Sequence, residues 1–191
     1  MNNEYYTNFE QTIESTLIKY CKGKNLIDEN ILVVEELDEL WNKIAPEYMA
    51  DAVPEIADYP AVAIAWAGFI GMGVAAIWDA DWQNYKERED IYNLLQSPRG
   101  FDCMDEYILE EMLNLELESP EAKELEDALR NCAYLCEALL RKENIEAQSK
   151  EAFYSFAIIV KHIYKIGVSI ILKKLGYKYH KMSYQKKKNC V

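Results

Sequence analysis

Apolar residues recur at helical spacing along most of this chain. The pattern is organised around residues 61–78, AVAIAWAGFIGMGVAAIW, eighteen positions without a charge. On a helix, Ala61, Ala65, Gly68, Met72 and Ala75 fall on one narrow stripe, and Trp66, Ile70, Val74 and Ile77 occupy the opposite arc. A helix that is apolar all round must be surrounded, so this segment is expected at the centre of a bundle, with neighbours packed closely on its small residues. The run is just long enough to enter a bilayer, but six Ala and three Gly give it weak insertion energy. Asp58 on one side and Asp79 and Asp81 on the other supply no basic asymmetry to orient a span. Enclosure by protein, with no membrane, is the expectation.

The flanking segments read as further helices. Tyr6, Phe9, Ile13, Leu17 and Tyr20 share a face, and Gly23 stands where that helix should stop. Asp28 is placed to cap the next, with Val33, Leu37, Leu40, Trp41 and Ile44 inward and Pro46 at its end. Residues 31–34, ILVV, also suit a strand, but no partner strand is evident. Pro46, Pro54 and Pro60 should divide the stretch from 46 to 60 into short pieces. The central helix is expected to run past Trp78 with a bend at Asp79 to Asp81, and to end by Ser97-Pro98-Arg99-Gly100. Asp102 then caps a helix carrying Met104, Ile108, Met112 and Leu115 on one side.

Ser119-Pro120-Glu121 combines a capping hydroxyl, a proline in the first turn and an acid at the positive end of the helix dipole. Leu125, Leu129, Cys132, Leu135, Cys136 and Leu139 continue that helix inward. Ser149 opens the last one, with Phe153, Phe156, Val160, Ile163 and Ile170 as its core, and Lys173, Lys174 and Gly176 close it. The expected fold is thus all-α: a single-domain helical bundle of six or seven helices around the apolar helix at about 61–78. It should occupy residues 1–176, followed by a basic, Tyr- and Lys-rich tail at 177–191. The small-residue stripe could equally meet a second copy, so a homo-oligomer stays open.

Composition adds a compartment and a charge layout. Half the chain is apolar, enough for a substantial core in 191 residues. The opening MNNEYYTNFE has neither the basic start nor the apolar run of a secretory signal. The cysteines Cys21, Cys103, Cys132, Cys136 and Cys190 are odd in number and form no C-x-x-C, which suits a reducing cytoplasm and argues against zinc. Cys132 and Cys136 lie one turn apart, either half a metal site or two small hydrophobes on an inward stripe. Residues 161–191 hold nine Lys and no acid, leaving the rest of the chain at −21 within an overall charge of −12. The basic end can screen the acidic body. It also interleaves Tyr177, Tyr179 and Tyr184 with lysines, as a nucleic-acid contact would, although so acidic a body repels that ligand.

Two constellations carry candidate chemistry. Glu36-Leu37-Asp38-Glu39 and, fifteen residues on, Glu55-Ile56-Ala57-Asp58 each place two acids three apart on one helix face. This E-x-x-E and E-x-x-D pair resembles the metal pattern of the all-α MazG-like nucleoside triphosphate pyrophosphohydrolases, over about 23 residues of the chain. The resemblance implies that Glu36, Glu39, Glu55 and Asp58, on two adjacent helices, hold Mg²⁺ for phosphate hydrolysis. Without it no cofactor is expected. The second constellation is Trp78, Asp79, Asp81, Trp82 and Tyr85, two carboxylates among three rings, suited to an organic cation or basic side chain; its alternative is a capped helix exit.

Other chemistries find no foothold. His162 shares a stripe with Glu151, Ser155, Lys165, Ser169 and Lys173, a wet face, and His180 falls in the basic tail. No E-x-x-H accompanies either histidine, which excludes a ferritin-like di-iron site, and no catalytic triad can be assembled. The glycines of GFIGMG follow no strand, so they make a poor nucleotide loop. The expectation is therefore an acidic helical module that binds or regulates a basic protein partner. Metal-dependent nucleotide hydrolysis is the enzymatic alternative, and nucleic-acid contact through the tail a further one.

Overall fold

A computed structural model describes residues 3–96, 100–146 and 148–178. Among these there are seven α-helices and no strand: α1 Asn3–Gly23, α2 Glu35–Glu55, α3 Pro60–Tyr85, α4 Ile91–Gln96, α5 Met104–Tyr107, α6 Pro120–Lys142 and α7 Lys150–Lys174. A single 3₁₀ turn, Phe101–Cys103, precedes α5, and a π-helical turn, Ile108–Met112, comes directly after it.

α3 is the centre. Every residue from Ala63 to Ala75 is buried, as is Ile77, and the helix packs most extensively on α7, then on α6 and α2. Its small residues explain the closeness. A Cβ built on Gly71 would stand 2.1 Å from the Tyr164 carbonyl oxygen, and one on Gly167 of α7 only 1.9 Å from the Gly68 carbonyl oxygen. The two backbones therefore touch. The Tyr164 hydroxyl beside this seam donates to the Leu37 carbonyl at 2.7 Å, and its ring lies 4.7 Å from that of Trp41, which brings α2 onto the same seam. Both α3 and α7 are long and apolar enough to cross a membrane, and protein covers 72% and 78% of their apolar windows. Only α3 stands out in the sequence, because lysines interrupt the apolar run of α7.

Helix ends follow local rules, with corrections. α1 stops because Asn25, not Gly23, takes the left-handed conformation (φ 57°), letting the amides of Asn25 and Leu26 reach the carbonyls of Lys22 and Cys21 at 2.9 Å. Asp28 caps nothing and pairs instead with Lys173 at 3.3 Å; α2 starts after an extended Val34 with no side-chain cap. Residues 31–34 form no strand, and the Leu32 amide donates to Ser169 Oγ at 2.8 Å. α2 runs through both Pro46 and Pro54, because Leu37, Leu40, Trp41, Ile44, Tyr48, Met49 and Ala52 bury one continuous face that outweighs the backbone bonds the prolines remove, and Pro60 instead opens α3. Asp102 sits within the 3₁₀ turn, and α5 has no side-chain cap.

Both serine caps form as expected: Ser119 Oγ accepts from the Ala122 amide at 3.2 Å, and Ser149 Oγ from the Ala152 amide at 3.1 Å. Gly176 (φ 92°) closes α7 with a 2.9 Å bond from its amide to the Lys173 carbonyl. Along α7 two expectations fail. Phe153 is 47% exposed, whereas His162, Ser155 and Ser169 are buried. The wet stripe disappears because α1 covers His162, bringing Glu10 to 3.7 Å from its Nε2, and the 31–34 segment covers Ser169. The lysines of the same stripe find acids, Lys165 on Asp38 at 2.9 Å and Lys173 on Asp28, so part of the basic C-terminal charge is spent on the body.

Candidate functional site

The proposed metal ligands do not converge. Glu36 and Glu39 lie in the first turns of α2, while Glu55 is the last residue of that same helix and Asp58 stands exposed just beyond it. Nineteen residues of helical rise separate Glu36 from Glu55 by about 28 Å. Adjacent helices would have been needed, so the residues do not fit a shared Mg²⁺. Among the described residues no group of three or more His, Cys, Asp or Glu side chains could hold a metal ion.

The aromatic corner at the end of α3 is occupied from within. The helix breaks at Asp81 (φ −164°, ψ 61°), whose carboxylate accepts from the Asn84 side chain. Asp79 is exposed but accepts from the Tyr177 hydroxyl at 2.8 Å, and the Tyr177 ring meets Trp78 edge-on at 5.4 Å. That hydrogen bond to a carboxylate pushes the Tyr177 hydroxyl pKa up. Trp82 and Tyr85 are half-buried; the Arg88 guanidinium lies 5.8 Å from the Tyr85 ring centre and is bound by Asp90 at 2.7 and 2.8 Å. Each of the two carboxylates thus faces a partner from its own chain. Tyr179, His180, Tyr184 and the lysines beyond Lys178 lie outside the described residues.

A different site emerges at the other end of α3. A cleft of about 380 Å³ opens between the first turns of α3, α5, the connection through Leu117 and the middle of α6. Helical spacing builds each wall: Ala61, Ala65 and Phe69, with Val62 and Trp66 beside them, come from α3, and Glu126, Arg130 and Tyr134 from α6. Trp66 and Phe69 are buried at its base, while Val62 and Tyr134 stand exposed at its rim. Asp105, on the short α5, also lines it.

The electrostatics of this cleft are unbalanced. Burial pushes the Asp105 carboxyl above its ordinary range and Glu106 repels it, although the Glu106 amide at 3.0 Å from Oδ1 and the Trp66 side chain pull the other way. Burial also raises Glu126, and Asp105 is the largest charge acting on it; Arg130 offsets this only in part. The two cations on the walls each have another acid beside them, Lys123 paired with Glu118 of the same cleft and Arg130 with Asp127 at 3.1 Å. A larger groove, about 810 Å³, separates the end of α1 from the start of α6, but its acids and lysines alternate, and Lys174 is tied to Glu121 at 2.7 Å.

The chain matches no family model, no curated protein and no solved structure. Its chemistry must therefore be read from the cleft itself. Periodicity does reveal the Glu126, Arg130 and Tyr134 ladder. Nothing in the sequence says that α5 will set Asp105 opposite it. His162, the one described histidine, is buried with Nδ1 2.9 Å from the Ile158 carbonyl and does not line the cleft. The arrangement offers two repelling carboxylates over an aromatic floor, which suits holding a cation better than nucleophilic chemistry.

Proposed function

We propose that this protein is a binding module that accepts a basic segment of a partner protein in the α3–α5–α6 cleft. The observation that carries the reading is that Asp105 of α5 and Glu126 of α6 line one cleft over the buried rings of Trp66 and Phe69, where burial pushes both carboxyls up and Asp105 repels Glu126. A lysine or arginine placed between them relieves both penalties, while its aliphatic stem lies on Val62, Trp66 and Phe69. The net charge of −12 assists by drawing basic partners in and turning acidic ones away.

Fluorescence anisotropy with a labelled peptide of alternating lysine and leucine tests this. Saturable binding at low salt, weakened at least tenfold in the D105N/E126Q double variant and unchanged in E36Q/E39Q, is the expected result. Absence of saturable binding, or equal affinity in all three proteins, contradicts the proposal.

A further inference from the structure

Three thiols gather where α1 meets α6. Cys21, in the last turn of α1, and Cys132 and Cys136, one turn apart on α6, are all fully buried. Cys21 Sγ stands 3.5 Å from Cys132 Sγ, close enough for one thiol to donate to the other. A second observation bears on access. The 810 Å³ groove is lined by Tyr20 and Asn131, the chain neighbours of Cys21 and Cys132, and by Ala128, one helical turn before Cys132.

We propose that Cys21 and Cys132 are a site of oxidative modification, closing into a disulfide that ties α1 to α6. The sulfurs must approach by about 1.5 Å to reach bonding distance. With a small-molecule disulfide as oxidant, one thiol loses its proton and its thiolate attacks a sulfur of the reagent, releasing one small thiol. The second protein thiolate then attacks the protein sulfur of the mixed disulfide and releases the other. Two electrons and two protons pass from the cysteine pair to the oxidant, and one S–S bond replaces another.

Reaction is slow in the native state. The hydrogen bond with Cys21 and burial hold the Cys132 thiol well above its usual range, and burial pushes Cys136 up to about 12, so both stay protonated at neutral pH. Opening of the α1 end toward the groove is the step that admits the reagent. Cys103, half-buried on the 3₁₀ turn before α5, has no part in the bond. This inference rests on no property of the cleft.

The test is to incubate the reduced full chain with oxidised glutathione under native conditions, alkylate remaining thiols and map the peptides. The expected product is monomeric, lighter by about 2 Da, and links Cys21 to Cys132. Closing so long a loop should raise the unfolding midpoint on the order of 10 °C, reversibly with dithiothreitol. C103A and C136A should still form the link; C21A and C132A should not. Glutathione adducts alone, a link through Cys103, Cys136 or Cys190, an intermolecular dimer, or a link that forms only in urea would each overturn the proposal.

Discussion

Two faces of α3 solve opposite problems with one apolar sequence. Around Gly68 and Gly71 the helix lies backbone against backbone on Gly167 of α7, with no room for a methyl group. Around Ala61 to Phe69 another face of the same helix floors a cleft and is left opposite Asp105 and Glu126. The seam shows what complete burial requires: glycine on both partners and polar backbone already satisfied within the helices. The cleft shows what incomplete burial leaves behind, namely acids whose charged form burial disfavours.

The largest effect should come from breaking the seam. Gly167→Ala puts a methyl group on the Gly68 carbonyl, and separating two packed helices should cost about 3 kcal/mol or more in urea unfolding, even after the helix-propensity gain. Val62→Ala on the cleft rim, where the side chain is 41% exposed, should cost under about 0.5 kcal/mol by the same assay. Equal costs would dissolve the contrast.

Next is Tyr164→Phe, which leaves the buried Leu37 carbonyl without its hydroxyl donor and should destabilise by about 1 to 3 kcal/mol. Ser149→Ala removes the cap of α7 and should cost about 1 kcal/mol.

The smallest effect has the opposite sign. The folded state raises the pKa of Asp105 and Glu126, so it holds their protons more tightly than the unfolded chain does, and stability falls as pH rises through the window from their ordinary values to their raised ones. Glu106, Glu118, Lys123 and Arg130 face the same cleft; after burial, Glu106 adds to the rise of Asp105, and Asp105, Asp127 and Glu118 add to that of Glu126 while Arg130 opposes it. D105N/E126Q should therefore gain less than about 1 kcal/mol at pH 7, discounted for partial solvent screening, and the gain should vanish below about pH 4. Comparative urea titrations at the two pH values measure it.

How legible was this in the sequence? The enclosed helix, the serine caps, the kink at Asp81 and the α1 core face of Phe9, Ile13 and Leu17 all come from periodicity and local hydrogen bonding. Pro46 and His162 do not, because each is decided by what another element lays over it. The candidate site was the least legible. The quartet Glu36, Glu39, Glu55 and Asp58 looks like one site only if a break separates two helices, and α2 has none there. The residues at the cleft come from α3, α5, the connection through Leu117 and α6, and their local traces are the i, i+4 ladders on α3 and α6.

The most direct test of the cleft as the binding face uses the four tryptophans as reporters in ¹⁵N-labelled protein titrated with the lysine–leucine peptide. The Trp66 indole resonance should shift progressively and saturate, while those of Trp41, Trp78 and Trp82 stay in place. Shifts confined to Trp78 and Trp82, with Trp66 unmoved, would place binding at the far end of α3 and contradict the assignment of the cleft.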